Sequence, residues 1–290
     1  MPELPEVETL VREIRGRVSG HRIDAAIVAR PDFIKSGTED LPARLKRRTV
    51  TGVRREGKRI LLDVDDGAVL MIHLGMSGRV TFEPAEAEPL VHTHVRIRLE
   101  GAADEMRLRD PRRFGGVWYC EPMDKGKVAR KSQKVSKHGH AAGASSSLSP
   151  LGPDALTLKL RDFRRMCERR RQIKALLLDQ RIVSGMGNIY CDEALFTARI
   201  HPAATAASLD SDRVRRLCDA VRATLNKAIA HGGSTLRDYV RSDGREGEFQ
   251  KIHRVYGRED EPCVRCGVMI VRALIAGRST HFCPRCQPVN

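Results

Sequence analysis

Aromatic residues make up only 4% of this 290-residue chain, and there is one tryptophan. Any core must therefore be packed mainly from aliphatic side chains, which the 41% hydrophobic content can supply. No stretch approaches the roughly eighteen consecutive apolar residues that would span a membrane. The opening MPELPEVETL lacks a basic flank followed by an apolar run, so no cleaved leader is expected. Acids are also scarce: 37 against 52 Lys and Arg, a net charge of +15. That excess suits a polyanion. No basic amphipathic segment carries Trp or Phe on its apolar face, so nucleic acid is expected rather than a membrane surface. The length favours two domains.

The eight cysteines do not read as a secreted disulfide framework. Cys120, Cys167, Cys191 and Cys218 are scattered singly. Cys263, Cys266, Cys283 and Cys286 form two CxxC pairs near the end, a spacing for four thiolates around one zinc ion. With four protein ligands the metal has no open position, so its role is structural. The β character between the pairs predicts a hairpin, with Arg278 and Thr280 near its tip.

The pattern changes along the chain. Over 3–18, Val7, Leu10, Val11, Ile14 and Val18 form one helical stripe. From about 22 to 120, short alternating runs predict antiparallel strands. Runs 59–64 and 68–74 flank Asp65-Asp66-Gly67 as a hairpin. The expected organisation is a helix plus β-sandwich over 1–120, a basic tether over 121–153, a helical unit over 154–241 and a cysteine-bearing unit over 242–290. Helices are expected at 158–180, 190–198, 210–231 and 234–241. The tether, with a Ser-rich stretch and no acid between Lys125 and Ser149, is expected to be disordered.

Several motifs leave two readings open. Gly185-Met-Gly-Asn188 is a tight helix–helix turn or a phosphate cradle at a helix start. The basic run from Arg161 to Lys174 tilts it towards phosphate. Removal of Met1 would leave Pro2 as a secondary amine titrating near pH 8, nucleophilic when neutral. Glu3 and Glu6 beside it are an acid/base pair, or acids that favour a helix dipole. Met76 and Phe114, in turns 73–78 and 110–115, are core residues or wedges into a base stack.

Taken together, Pro2-Glu-Leu-Pro-Glu-Val-Glu-Thr9, Gly57-Lys-Arg59, His73-Leu-Gly-Met-Ser-Gly78, Asp110-Pro-Arg-Arg-Phe-Gly115, Gly185-Met-Gly-Asn-Ile-Tyr190, Val255-Tyr-Gly-Arg258 and the four cysteines resemble, in order, the bacterial formamidopyrimidine-DNA glycosylases. The resemblance runs from residue 2 to about 287. It implies a multidomain α+β fold: an N-terminal helix with an antiparallel β-sandwich, then a helix–two-turn–helix domain carrying a zinc-finger hairpin. It implies a monomeric, cytoplasmic enzyme of base-excision repair acting on double-stranded DNA. The reaction would release an oxidised purine and then perform β- and δ-elimination at the abasic sugar.

By the same resemblance Pro2 is the nucleophile, Glu3 the proton donor and later general base, Glu6 an orienting residue and Lys58 the active-site lysine. Met76, Arg112 and Phe114 fill the gap left by the flipped nucleotide, with Arg112 facing the orphan cytosine. Asn188 and Arg278 clamp phosphates. His73, His94, Lys174 and Tyr256 join the DNA-binding set. One structural zinc on Cys263, Cys266, Cys283 and Cys286 is the cofactor implied.

The basic stretch 123–150 is longer than the family's usual connection, and Glu259-Asp-Glu261 is acidic beside the finger. Two alternatives remain: an endonuclease VIII-like enzyme for oxidised pyrimidines, and a non-catalytic zinc-finger DNA binder. Leu4 and Phe114 favour the purine enzyme.

Overall fold

The computed structural model describes residues 1–36, 40–121, 150–236 and 238–289. The disorder expected between 121 and 153 concerns positions lying, but for the ends, outside those residues.

The predicted opening helix is α1 (Leu4–Val18). Pro5 fits its first turn, where a missing N–H costs nothing. The predicted stripe Val7, Leu10, Val11, Ile14 and Val18 is buried in the core of a two-sheet sandwich. One sheet has five strands in the order β2 (Ile34–Ser36), β9 (Gly116–Cys120), β5 (Val69–His73), β4 (Arg59–Val64) and β3 (Val50–Glu56). The other runs β1 (Ile23–Val28), β7 (Thr93–Leu99), β8 (Asp104–Arg109) and β6 (Arg79–Pro84). All pairs are antiparallel except β2 with β9. Alternation in β7 puts Val95, Ile97 and Leu99 inside, as period two requires. A short helix, α2 (Leu41–Leu45), packs against β1 and adds Leu41 and Leu45 to this core. The β4–β5 turn is the predicted one, with Gly67 at φ +85 and Ala68 N–H donating to Asp66.

The second half is helical: α3 (Leu160–Cys167), α4 (Ile173–Leu178), α5 (Asn188–Ala198) and α6 (Ser211–Ala230). Two expectations fail here. The segment 158–180 is two helices, because residues 202–206 take the backbone between them. Ile173 N–H donates to Ala204, Lys174 N–H to Pro202, and Arg171 C=O accepts from Ala206. The described residues of 234–241 are not helical either. Thr235 N–H goes to the Gln250 side chain, Arg241 N–H to Arg245 C=O, and the Thr235 hydroxyl to Tyr239 C=O.

The last unit is the hairpin β10 (Val271–Ile275) and β11 (Arg278–Phe282). Ala276 and Gly277 both have positive φ, the two-residue turn that suits the twist of paired strands. Among the described residues no helix is long and apolar enough to cross a membrane.

The first turn of α1 belongs to both halves. Leu4 is buried in the helical core, three residues before Val7 enters the sandwich core. Leu4 N–H donates to Gly185 C=O at 3.1 Å. Further along, Glu13 receives Arg241 Nε at 2.7 Å and the Ser242 hydroxyl at 2.7 Å. Arg55 makes a third tie: its guanidinium is bidentate to Asp154 at 2.6 and 3.1 Å and reaches Glu8 at 2.8 Å.

Candidate active site and nucleic-acid interface

Glu3 sits directly before α1 and is buried against the start of α5. Its carboxylate accepts the N–H groups of Ile189 at 3.1 Å and Tyr190 at 3.5 Å. The expectation of a phosphate on this turn is corrected: the anion that the helix start holds is Glu3's own carboxylate. Gly187 makes room for it, since a Cβ there would stand 2.2 Å from Glu3 Cδ. Burial raises the Glu3 pKa most strongly, Lys58 opposes this and Glu6 adds to it; the result is about 7. A carboxyl group half protonated near neutrality is suited to giving and taking a proton.

Glu6 is also buried. It accepts Glu3 N–H at 2.8 Å, Ser234 N–H at 2.7 Å and the Tyr190 hydroxyl. Burial pushes its pKa up against those bonds. Gly233, at φ +82, approaches so closely that a Cβ would lie 2.7 Å from Glu6 Oε1. Both acids therefore serve more than a helix dipole. Lys58 follows Gly57 in the β3–β4 turn, whose carbonyl accepts from Arg55 at 2.9 Å. Burial lowers the Lys58 pKa and the charge of Glu3 raises it. Arg278 also acts on Lys58 electrostatically, so the hairpin tip approaches the same place.

Pro2, Glu6, Met76, Arg112, Ile189 and Tyr256 line one cavity of about 320 Å³. Arg112 and Phe114 are exposed, with the guanidinium carbon 4.6 Å from the ring centroid. Phe114 is 57% and Met76 42% exposed, which decides against the core reading for both. The loop carrying Arg112 is shaped from inside. Buried Asp110 accepts the Ser77 hydroxyl at 2.5 Å and Gly115 N–H at 2.8 Å, tying turn 110–115 to turn 73–78.

Asn188 starts α5 and donates to the Ser279 carbonyl at 2.7 Å, which latches the zinc hairpin beside it. Tyr256 is half-buried next to Asn188, and Arg278 is exposed at the hairpin tip. His73 ends β5, half-buried, with its ring edge towards Trp118. Burial, then Arg59 and Lys58, lower its pKa.

Two residues expected to touch DNA face inwards. His94 is 4% exposed, packs on Phe33 at 4.8 Å and hydrogen-bonds through Nε2 to Asp110 C=O at 2.9 Å. It braces the Arg112 loop. The exposed imidazole is that of His92, at φ +72, where the chain turns before β7. Spacing could not choose between them, but a left-handed turn position would have. Lys174 is fully buried. Its Nζ donates to Asp192 at 2.6 Å, Thr280 Oγ1 at 2.7 Å and the Ser279 carbonyl at 3.3 Å. An ammonium so enclosed supports the hairpin and has no surface for a phosphate. Sequence reasoning also missed Glu193, whose carboxylate accepts the N–H groups of Arg254, Val255 and Tyr256.

The four sulfurs of Cys263, Cys266, Cys283 and Cys286 lie within 4.8 Å of one another. Backbone N–H groups of Arg265 and Cys286 point at the Cys263 and Cys283 sulfurs at 3.4 Å. A tetrahedron of thiolates about 2.3 Å from a central ion fits this spacing, and one structural zinc is the ion it suits.

Comparison with known proteins gives three matches along the chain. Residues 1–117 match the formamidopyrimidine-DNA glycosylase N-terminal domain, 151–240 its H2TH domain, and 260–289 the zinc finger found in FPG and IleRS. A formamidopyrimidine-DNA glycosylase of Gluconobacter oxydans is 43% identical, covering 99% of this chain and 100% of the relative. One of Solibacter usitatus is 40% identical, with 99% of each chain covered. Among solved structures, the MutM (Fpg) protein of Thermus thermophilus superposes with a TM-score of 0.81 at 39% identity, covering 100% of both chains. Lactococcus lactis Fpg non-covalently bound to DNA with an AP site gives 0.83 at 31%, covering 99% of this chain and 100% of that one.

Proposed function

This chain belongs to the formamidopyrimidine-DNA glycosylase family, and from that premise we infer how its own residues carry out the reaction. The protein is a glycosylase and AP lyase of base-excision repair that removes oxidised purines from duplex DNA. Full-length similarity to this family favours the purine enzyme over the endonuclease VIII-like and non-catalytic alternatives. We place its work in the bacterial cytosol, as a monomer on DNA.

One observation carries the assignment of roles: Glu3, next to Pro2, is buried with its carboxylate fixed by the N–H groups of Ile189 and Tyr190, and burial raises its pKa to about 7 against the charge of Lys58. Pro2, freed of Met1, attacks the sugar C1′. The bond from nitrogen to C1′ forms as the glycosidic bond breaks and the amine loses its proton; Glu3 then protonates O4′ as the C1′–O4′ bond breaks, opening the sugar. The resulting iminium is an electron sink, so Glu3, now a base, removes a sugar proton and the 3′ phosphate leaves. Lys58 holds the nearby phosphate and favours the charged form of Glu3 against the effect of burial. Glu6 fixes the first turn through Glu3 N–H.

A stacked base is out of reach of these groups, so the nucleotide must leave the helix. Met76, Phe114 and Arg112 occupy the gap. Their exposure beside the Pro2 cavity supports this. Asn188, Arg278, Tyr256 and His73 line the approach to the backbone, and His92 replaces His94 as the exposed histidine. Zinc supplies architecture alone when bound.

Borohydride trapping on a duplex containing 8-oxoguanine tests the reading. A covalent protein–DNA adduct through the residue-2 amine is expected. Material shown by mass spectrometry to retain Met1 should give no adduct, and full strand cleavage by such material would refute the assignment.

A further inference from the structure

The chemistry above does not use Arg55, near the end of β3. Its side chain is only 7% exposed, so it offers a phosphate no surface. Its planar guanidinium instead points donors in fixed directions at three separate pieces of the molecule. Nε goes to Glu8 of α1 at 2.8 Å. Nη1 goes to the Gly57 carbonyl at 2.9 Å, and Nη1 and Nη2 together grip Asp154 at 2.6 and 3.1 Å. Each partner leads to a different part of the site. Glu8 lies on α1, which begins directly after Glu3. The Gly57 carbonyl belongs to the peptide plane whose nitrogen is Lys58's own. Asp154 is fixed to the strip that enters the Gly-rich turn: Ser184 N–H donates to Pro153 C=O at 2.9 Å, and Ala155 N–H to Ser184 C=O at 3.0 Å. The next carbonyl in that strip, Gly185, takes Leu4 N–H.

We propose that Arg55 is a positioning residue, which ties the Lys58 turn to α1 and to the second half of the chain and so sets how Lys58 stands against Glu3. The proposal rests on the roles given above to Glu3 and Lys58. The turn is seated on the second half: Gly57, at φ +57, leaves so little room that a Cβ would stand 3.1 Å from Leu151 Cδ1 and 3.4 Å from Ser184 Cβ. Its carbonyl is caught by a guanidinium that Asp154 catches in turn, so the turn follows the second half. That half also holds the Glu3 carboxylate, through the N–H groups of Ile189 and Tyr190. Lysine and carboxylate are thus placed by one frame, although they come from opposite ends of the first domain's fold.

The titration of Glu3 reports on that placement. Glu3 faces Lys58 from the β3–β4 turn, Glu6 from its own helix, and the Ile189 and Tyr190 N–H groups from α5. Burial raises its pKa most strongly, and Lys58 is the largest influence against burial. Lys58 in turn feels Glu3, Cys191, Glu6 and Arg278. The charge of Arg55 is met by Glu8 and Asp154, so Arg55 reaches Glu3 through geometry and not through its own field. A turn that drifts away takes Lys58 with it, and the Glu3 carboxyl then keeps its proton to higher pH.

The test is Arg55→Lys, which keeps the charge but brings one nitrogen to partners lying in three directions. NMR of isotopically labelled glutamate carboxyls follows the titration, with the Glu3 resonance assigned by its loss in Glu3→Gln. An opposite charge at close range shifts a carboxyl by roughly 1–3 pH units. Lys58→Gln should raise the Glu3 midpoint above its value of about 7 by that order, and Arg55→Lys should raise it by about half a unit or more. Single-turnover excision of 8-oxoguanine by Arg55→Lys should slow about ten- to a hundredfold. Asp154→Asn loosens the same turn from the other half and leaves every cation in place, so it should move the midpoint the same way. In a Lys58→Gln background, Arg55→Lys should add no further shift. A role in stability alone predicts a lower melting temperature with the midpoint unmoved, and that result in either folded variant would overturn the proposal. So would a shift that adds in full to that of Lys58→Gln. If Lys58→Gln itself leaves the midpoint in place, the pairing of Lys58 with Glu3 fails, and the positioning role falls with it.

Discussion

Gly187→Ala tests the catalytic pocket without altering any titratable group. The backbone there (φ −137, ψ −165) is extended and open to alanine, so no strain enters from the main chain. All of the effect must come from the new methyl. It would lie 2.2 Å from Glu3 Cδ, 2.4 Å from Oε1 and 2.6 Å from Cγ. Carbon atoms rest about 3.5–4.0 Å apart, so the carboxylate must retreat by roughly 1.3 Å or more. It then loses the N–H groups of Ile189 and Tyr190 that fix it. A 1 Å misplacement costs on the order of 10²-fold in rate, and excision should fall by at least that. Leaving a buried N–H without its acceptor costs about 1–3 kcal/mol. For a chain of this size that lowers the melting temperature by roughly 2–4 °C per kcal/mol. The assay pairs single-turnover excision of 8-oxoguanine with thermal melting. Gly16→Ala, at an exposed position of α1 with no atom within 4 Å of the new methyl, serves as control. It should stabilise by about 0.5–1 kcal/mol and leave excision unchanged. A Gly187→Ala protein that excises at the parent rate would show that Glu3 is not held as tightly as its contacts require.

The pH profile follows from the raised Glu3 pKa. The folded value of about 7 exceeds the ordinary 4.5, so the proton is held up to neutrality and lost as pH rises through about 7. Excision should therefore have an alkaline limb near 7, absent in Glu3→Gln, whose rate should also be about 10²–10⁴-fold lower; a limb that persists in that variant belongs to another group. The same shift contributes stability that is full below 4.5 and lost between 4.5 and 7. Arg112→Ala should flatten the preference for cytosine over adenine opposite the lesion, a contact worth about 1–3 kcal/mol, whereas Phe114→Ala should slow excision opposite every base at an unchanged melting temperature. Elemental analysis should find one zinc per chain, and Cys283→Ser should release it and weaken DNA binding through loss of the Arg278 hairpin; bound iron would contradict this.

Periodicity located α1 and the strands because single faces of these elements are buried, and burial writes itself into residue spacing. The cysteine site was legible for a similar reason: its ligands are local in pairs. The break at 168–172 was not, because the groups that interrupt the helix come from 202–206. His94 and Lys174 were misplaced on the same ground. A histidine or lysine looks alike in sequence whether it meets a phosphate or a buried carboxylate. Only Asp192 and Thr280 folding around Lys174, and Phe33 around His94, decide the matter. The Gly-rich turn left a tight turn and a phosphate cradle open, and what it holds is the carboxylate of Glu3. Its occupant, Glu3, comes from 186 residues before Ile189, whose N–H it accepts, a pairing no local pattern records.

The shared first turn of α1 imposes an order on biosynthesis. Chain ends are usually free to be trimmed at any time. Here Pro2 is buried, and the residues that enclose it, from Gly185 to Ser234, are made late. At about 5–20 residues per second, roughly ten to forty seconds pass between the appearance of the first turn and that of Gly185. Removal of Met1 belongs in that interval, while the end is still extended enough to thread an aminopeptidase. A chain that misses it would fold with Met1 exposed but the bond after it leading directly into buried Pro2, giving a stable protein with a blocked amine. Slow processing would therefore appear in the cell as a fraction of permanently inactive but fully folded molecules, and not as unfolded ones.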